Sequence, residues 1–394
     1  MSLADLSANL LYVAFIAYLI ATFVFGGAVK GNKNGSFKSE KRWGKVAITL
    51  TVIGFIANLG YFFTRWGATG HAPLSNMFEF TTAFGMTLVG GFILLYLLYK
   101  TPVLGMVVLP VALLIIAFAS MFPSEVSPLI PALQSNWLAI HVSTVVVAEG
   151  VLAISAAAGL VYLLKVVDLS KNSKQRFWLE AIMYSLILVL GFVISSTYFS
   201  LTNYEANFEY VDKEGQPAEI TYNMPPIFGM NEYVALTDDA MTPLAETPAV
   251  INAGKLTTVT WSFIVGTILY WLIRLIARKR VTAIFQPFVK NVNLNLMDEI
   301  NYRSIIIGFP LFSLGALIFA MIWAQIAWSR FWGWDPKEVW ALITWLFYAA
   351  YLHLRLGKGW QGEKSAWLAV VGFAIIMFNL VAVNLIIAGL HSYA

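Results

Sequence analysis

Residues 138–164 read LAIHVSTVVVAEGVLAISAAAGLVYLL, an apolar run broken only by His141, Glu149 and a few hydroxyl side chains. About 20 apolar residues at 1.5 Å each cross the hydrocarbon core of a bilayer. This run exceeds that length, and a helix lets such a segment satisfy its own backbone hydrogen bonds in lipid. Working outward, nine further apolar stretches occupy 8–29, 44–64, 78–99, 101–121, 179–200, 257–277, 304–328, 338–356 and 366–390. The composition agrees, with 59% of the 394 residues hydrophobic and 12% charged, against roughly 25% charged in a soluble domain. A soluble enzyme, a disordered chain and a nucleic-acid binder are excluded. The expected fold class is all-α, a polytopic membrane bundle of about 10 transmembrane helices.

Only Lys100, Thr101 and Pro102 separate the third and fourth stretches. The first stretch is too long for a removable signal peptide and lacks a small-residue cleavage site. Of the 25 lysines and arginines, 20 fall at Lys100 or in the breaks around 30–45, 165–176, 274–303 and 355–364. The opposite breaks hold Arg65, Lys213, Lys255, Arg330 and Lys337. By the positive-inside rule the basic side faces the cytoplasm, which puts both termini outside. By chain order, residues 1–200 are expected to form a six-helix bundle carrying His71 and His141. Residues 201–255 form an acidic extracytoplasmic loop. A second bundle, 256–394, carries His353, His391 and a tryptophan-rich segment at 323–345. No internal repeat suggests a transporter built from inverted halves.

The chain has no cysteine, which excludes internal disulfides and thiolate metal sites, and four histidines: His71, His141, His353 and His391. On this topology His71, His141 and His391 lie at or near the outer surface. His353 lies roughly 22 Å along its helix from Glu338, in the inner half of the bilayer. A histidine in a span marks a functional site by default, because its nitrogens need partners. The plainer alternatives are an imidazole hydrogen-bonded between helices, or His353 snorkelling beside Arg355.

Six of the 14 tryptophans fall between 323 and 345: Trp323, Trp328, Trp332, Trp334, Trp340 and Trp345. An interfacial aromatic belt explains one or two per helix end, but does not require Trp332-Gly333-Trp334-Asp335-Pro336. Gly333 lets the backbone approach a flat object, while Asp335 and Pro336 suit the start of a helix. A turn exposing several indoles, flanked by Arg330 and Lys337, is a platform for a planar apolar ligand bearing carboxylates. Haem fits that description with histidines as axial ligands. A quinone and a lipid headgroup stand behind it, and zinc fits less well because no paired-histidine spacing exists.

The run Trp328-Ser329-Arg330-Phe331-Trp332-Gly333-Trp334-Asp335-Pro336-Lys337-Glu338-Val339-Trp340-Ala341-Leu342 resembles the WWD signature of haem-handling cytochrome c biogenesis proteins. The chain is most similar to the CcsA/ResC-type branch of System II. Gly70-His71-Ala72-Pro73-Leu74-Ser75-Asn76-Met77-Phe78-Glu79 and Trp137-Leu138-Ala139-Ile140-His141-Val142-Ser143 support this. So do Asn301-Tyr302-Arg303 leading to Gly308-Phe309-Pro310, Tyr351-Leu352-His353-Leu354-Arg355 and Gly389-Leu390-His391-Ser392-Tyr393. These motifs run in the family's order from about residue 58 to the end. The helix pair and acidic loop between the His141 helix and Tyr302 depart from shorter members and resemble the ResC-type arrangement.

The resemblance implies a haem-handling subunit of a cytochrome c synthetase (haem lyase) in the bacterial cytoplasmic membrane, with its active site on the outer face. It implies haem b as the ligand, with His141 and His391 coordinating iron beneath the WWD segment. His353 would hold haem on its way outward, with its counterpart ligand on a ResB/CcsB-like membrane subunit. Trp332, Trp334 and Asp335 would form the catalytic platform, and Trp328, Arg330, Trp340 and His71 are further haem-site candidates. Apocytochrome c and thioredoxin-like thiol reductants are implied partners, besides the lipid bilayer. Two other classes stay open: a haem exporter or chaperone without ligation activity, and a b-type electron-transfer cytochrome. Glu149, about 12 Å deeper than His141 on the same helix, is either a polar stepping point beneath the haem or a protonated side chain bonded to a neighbouring helix.

Overall fold

The computed structural model describes residues 2–31, 37–120, 122–125, 129, 133–212, 215–237, 240–248 and 251–383. Among them are ten helical segments long and apolar enough to cross a membrane, as expected. The helices are α1 (Leu3–Gly31), α2 (Phe37–Thr69), α3 (Met77–Tyr99), α4 (Pro102–Ala119), α5 (Asn136–Val166), α6 (Lys174–Leu201), α7 (Ala253–Ala277), α8 (Val281–Val289), α9 (Leu294–Phe312), α10 (Ala320–Trp328), α11 (Pro336–Gly357) and α12 (Glu363–Phe378). α9 and α10 are one span joined by a π-helical stretch, Ser313–Phe319, and a second π-helical stretch, Asn379–Val383, follows α12. The short α8 is an element that the hydropathy pattern did not signal.

Local chemistry sets the ends. Asn76, Ser135, Ser173 and Asn252 cap α3, α5, α6 and α7, each side chain accepting from a backbone N–H of the first turn. Capping of this kind satisfies donors that the helix itself cannot. The narrow break at 100–102 is a tight turn, with Lys100 left-handed at φ 50° and Pro102 opening α4. Proline suits that first position because its missing N–H has no helical partner there.

Residues 1–167 pack together with 285–394, and residues 168–284 form a second compact unit. In the first unit α5 packs against α3, α9 and α12. Its small residues permit close approach: a Cβ on Gly150 would meet the Leu88 amide nitrogen at 2.9 Å. Without a hydrophobic driving force between helices in lipid, such fits supply the association.

In the second unit α6 and α7 pair through Gly191 and Gly266, whose backbones touch. The polar segment between them folds into short strands. β1 (Ala206–Val211) lies antiparallel between β2 (Pro217–Tyr222) and β4 (Val234–Ala235), and β3 (Phe228–Gly229) pairs parallel with β5 (Ala245–Glu246). Ala206, Phe208, Tyr222, Met230 and Ala253 form its core. Tyr222 donates to the Phe228 carbonyl at 3.0 Å. Burial pushes its hydroxyl up to about 12, so it remains a donor at physiological pH.

Candidate functional site

The π-helical stretch widens one turn of the span between α9 and α10, a feature frequent at functional sites. Gly315 lies in it, pressed against α5: a Cβ there would meet the Val145 amide nitrogen at 2.9 Å. Its carbonyl oxygen lies 2.9 Å from Nδ1 of His141. A carbonyl only accepts, so Nδ1 carries the hydrogen and Nε2 the lone pair. Metal-binding imidazoles are commonly fixed this way, by a hydrogen bond at the second nitrogen. The ring also stacks on Trp323, 5.7 Å between centroids and 12° between planes. Trp323 in turn meets Trp328 edge-on at 4.8 Å.

His141 lines a cavity of about 190 Å³, open on one side. Trp323, Trp328, Trp332, Lys337, Glu149 and Asn379 share its wall, and both π-helical stretches contribute to it. This volume is below the roughly 300–1,000 Å³ of pockets that enclose a drug-sized ligand. Glu149, 6% exposed, has its Oε2 buried without a hydrogen-bond partner among the described residues. Asn379 Oδ1 is likewise buried without a partner.

At the mouth, the turn before α11 is built around two carboxylates. Asp335, 5% exposed, accepts from the Lys337 N–H at 3.0 Å and forms a capping box with Glu338. Glu338 Oε2 accepts from the Gly333 and Asp335 amides at 2.7 and 3.2 Å. These bonds hold Trp334 left-handed at φ 56° with its indole exposed. Trp332 meets Trp334 edge-on at 6.0 Å and turns into the cavity. The flat group on Gly333 is the Arg330 guanidinium, which a Cβ at 333 would meet at 2.8 Å. Trp340 packs on Phe378 at 4.3 Å instead of lining the cavity.

The Gly70–Glu79 stretch is a brace. Glu79 accepts from Arg65 at 2.7 Å and from the N–H and hydroxyl of Ser75 at 3.0 and 2.8 Å. Arg65 also donates to the Ser124 carbonyl at 3.0 Å. The pair is buried and fixes Leu74, Ser75, Asn76 and Met77 as a wall of the cavity. His71 is outside that wall. Its Nδ1 donates to the Ala72 carbonyl at 3.0 Å, and its Nε2 is buried without a partner among the described residues. Sequence reading missed this ion pair and the Gly315 carbonyl. A signal existed for the first: an arginine ending a span, with a carboxylate opening the next.

His353 lies on α11 with its side chain exposed. Two residues on, Arg355 grips Asp298 of α9 with two bonds of 2.7 Å and covers the Tyr302 ring at 4.8 Å. That pairing orients this end of α11. His391 lies outside the described residues. Among the described residues no three histidine or acidic side chains group as a metal site.

Comparison with known proteins bears on what this arrangement serves. Residues 74–199 and 255–391 match the family model described as Cytochrome C assembly protein. A cytochrome c biogenesis protein CcsA of Pyropia yezoensis is 31% identical over 401 residues, covering 100% of this chain and 99% of the relative. The protein of the same name from Prochlorococcus marinus is 31% identical over 91% of this chain and 87% of its own length. That of Nostoc punctiforme is 32% identical over 84% and 82%.

Proposed function

The chain belongs to the cytochrome c assembly protein family, and from that premise we propose that it is the haem-presenting subunit of a cytochrome c synthetase. The observation that carries the proposal is His141, fixed by the Gly315 carbonyl, stacked on Trp323 and facing a cavity roofed by the tryptophan-rich turn. Haem is the substrate. On the proposed orientation, with the basic ends of the spans in the cytoplasm, it enters at His353 and passes to the outer site. There His141 and His391 would hold the iron, and Lys337, on the cavity wall, and Arg330, packed on Gly333 of the turn, would pair with the propionates.

An apocytochrome CxxCH segment then brings its own histidine and two thiols. Each thiol adds across a vinyl group: sulfur bonds to the carbon next to the ring and the hydrogen goes to the terminal carbon. No electrons are gained or lost, so no oxidant is needed. The chain's contribution is positioning, which can remove about 7–11 kcal/mol of a barrier between pre-aligned groups. The shallow cavity suits this, because a buried macrocycle would hide its vinyls. Asp335 and Glu338 hold the turn that carries Trp332 and Trp334. The proposed partners are a ResB/CcsB-like membrane subunit sharing the His353 haem, the apocytochrome, and separate thioredoxin-like reductants that keep its thiols reduced.

The test is coexpression with a ResB-like partner and an apocytochrome, followed by a denaturing-gel assay for haem covalently bound to the acceptor. Covalent haem is expected. Haem accumulating outside without attachment would make the chain an exporter.

A further inference from the structure

A second cavity, of about 480 Å³, lies between α6 and α7, far in sequence from His141 and sharing none of the first cavity's residues. Arg176, near the start of α6, and Arg280, just after α7, line it. Arg274 stands beside it, its guanidinium 4.8 Å over the Trp271 ring and 5.5 Å over Tyr270, both lining rings. Two guanidiniums thus line the cavity and a third lies over two of its ring walls, at one polar end of a membrane helix pair.

The carboxylate among them does not neutralise them. Glu180 accepts from the Tyr270 hydroxyl at 2.9 Å, the Val281 and Thr282 amides at 3.0 and 3.2 Å, and the Thr282 hydroxyl at 2.6 Å. Those four donors fasten the start of α8. Among the described residues none of Arg176, Arg274 and Arg280 has a carboxylate partner. Arg176 reaches the Leu169 carbonyl and Asn172 side-chain oxygen instead.

Depth narrows the ligand. The lining runs from Arg176 to Tyr184 and from Arg280 back to Thr267, roughly 15 Å from the helix ends. That reaches from the headgroup layer into the upper acyl region. Along α7, Ile264, Ile268, Leu272 and Leu275 form an exposed stripe at helical spacing. We propose that this cavity takes the phosphate headgroup of an anionic phospholipid, with the acyl chains lying along the exposed stripe of α7. A phosphate diester offers charge-assisted hydrogen bonds to several guanidiniums at once, and basic pockets between membrane helices bind such headgroups.

The test is native mass spectrometry of the full chain equilibrated with equal phosphatidylglycerol and phosphatidylcholine, with inorganic phosphate and haem as separate competitors. One phosphatidylglycerol is expected to be retained in preference to phosphatidylcholine. The Arg176→Gln, Arg280→Gln double variant should lower that preference about thirtyfold. Arg278→Gln, Lys279→Gln removes two exposed charges that do not line the cavity and should leave the preference unchanged. The wild-type competition needs no variant to fold. Equal retention of the two lipids overturns the proposal, as does equal loss in both double variants. Displacement by millimolar inorganic phosphate would make it a small-anion site, and displacement by haem a haem-entry port. Either result also overturns it.

Discussion

An imidazole can offer one nitrogen to iron while the other is anchored, and at His141 the Gly315 carbonyl is the anchor. His141→Ala is expected to abolish covalent haem attachment while the protein still inserts, read as acceptor haem against membrane-extracted protein. Glu149 shares the cavity with its Oε2 unpartnered. If it exchanges a proton or bonds to the cargo, Glu149→Gln should lower assembly severalfold and shift its pH profile. Full activity with an unchanged profile would leave it a passive carboxylic acid. Trp332 turns inward and Trp334 outward. Trp332→Ala should therefore cost more haem retention than Trp332→Phe, which keeps most of the apolar plane. Equal loss would point to the indole N–H. At this scale the sequence exposed the histidines, whose nitrogens need partners within a span, and the tryptophans, whose six copies between 323 and 345 exceed what an interfacial belt explains. It did not expose which Trp332 neighbours face the cavity, since that depends on the Asp335 and Glu338 bonds.

Elements place these groups. The π-helical stretch brings Gly315 to α5, and a methyl at 315 would collide with the Val145 backbone. Gly315→Ala should cost about 1–3 kcal/mol as overpacking and loosen His141, seen as a weaker low-spin haem spectrum at unchanged expression. The Arg65–Glu79 pair braces another wall of the cavity. Glu79→Gln strands a buried guanidinium and should lower stability by about 3–5 kcal/mol, measured by unfolding in detergent. The ten spans were legible because bilayer thickness fixes the length of an apolar run. The π-helical stretch was not, since one extra residue in a turn leaves hydropathy unchanged. The short strands of the 201–252 segment were hidden for a related reason: their pairing runs over turns of irregular length, and within β1 and β2 only Ala206, Phe208 and Tyr222 mark an inward face.

Over the whole molecule, order along the chain and order in space differ: residues 1–167 and 285–394 pack together although α6, the strands and α7 come between. The motifs from His141 and from Trp328–Trp340 converge across that gap, which no local pattern encodes. His353 is exposed on α11 and has no hydrogen-bond partner among the described residues. On the proposed function, a bis-histidine haem held there takes its second histidine from the ResB-like partner. The isolated chain should therefore bind less haem than the chain purified with a ResB-like partner, and His353→Ala should erase that difference.

The most direct measurement is covalent haem on an apocytochrome coexpressed with this chain and its partner, compared between wild type and His141→Ala at matched membrane levels. Covalent haem is expected with the wild type, with attachment lost in the variant while the His353-dependent haem remains bound. Undiminished covalent haem in His141→Ala would contradict the assignment of this cavity as the place where haem is presented.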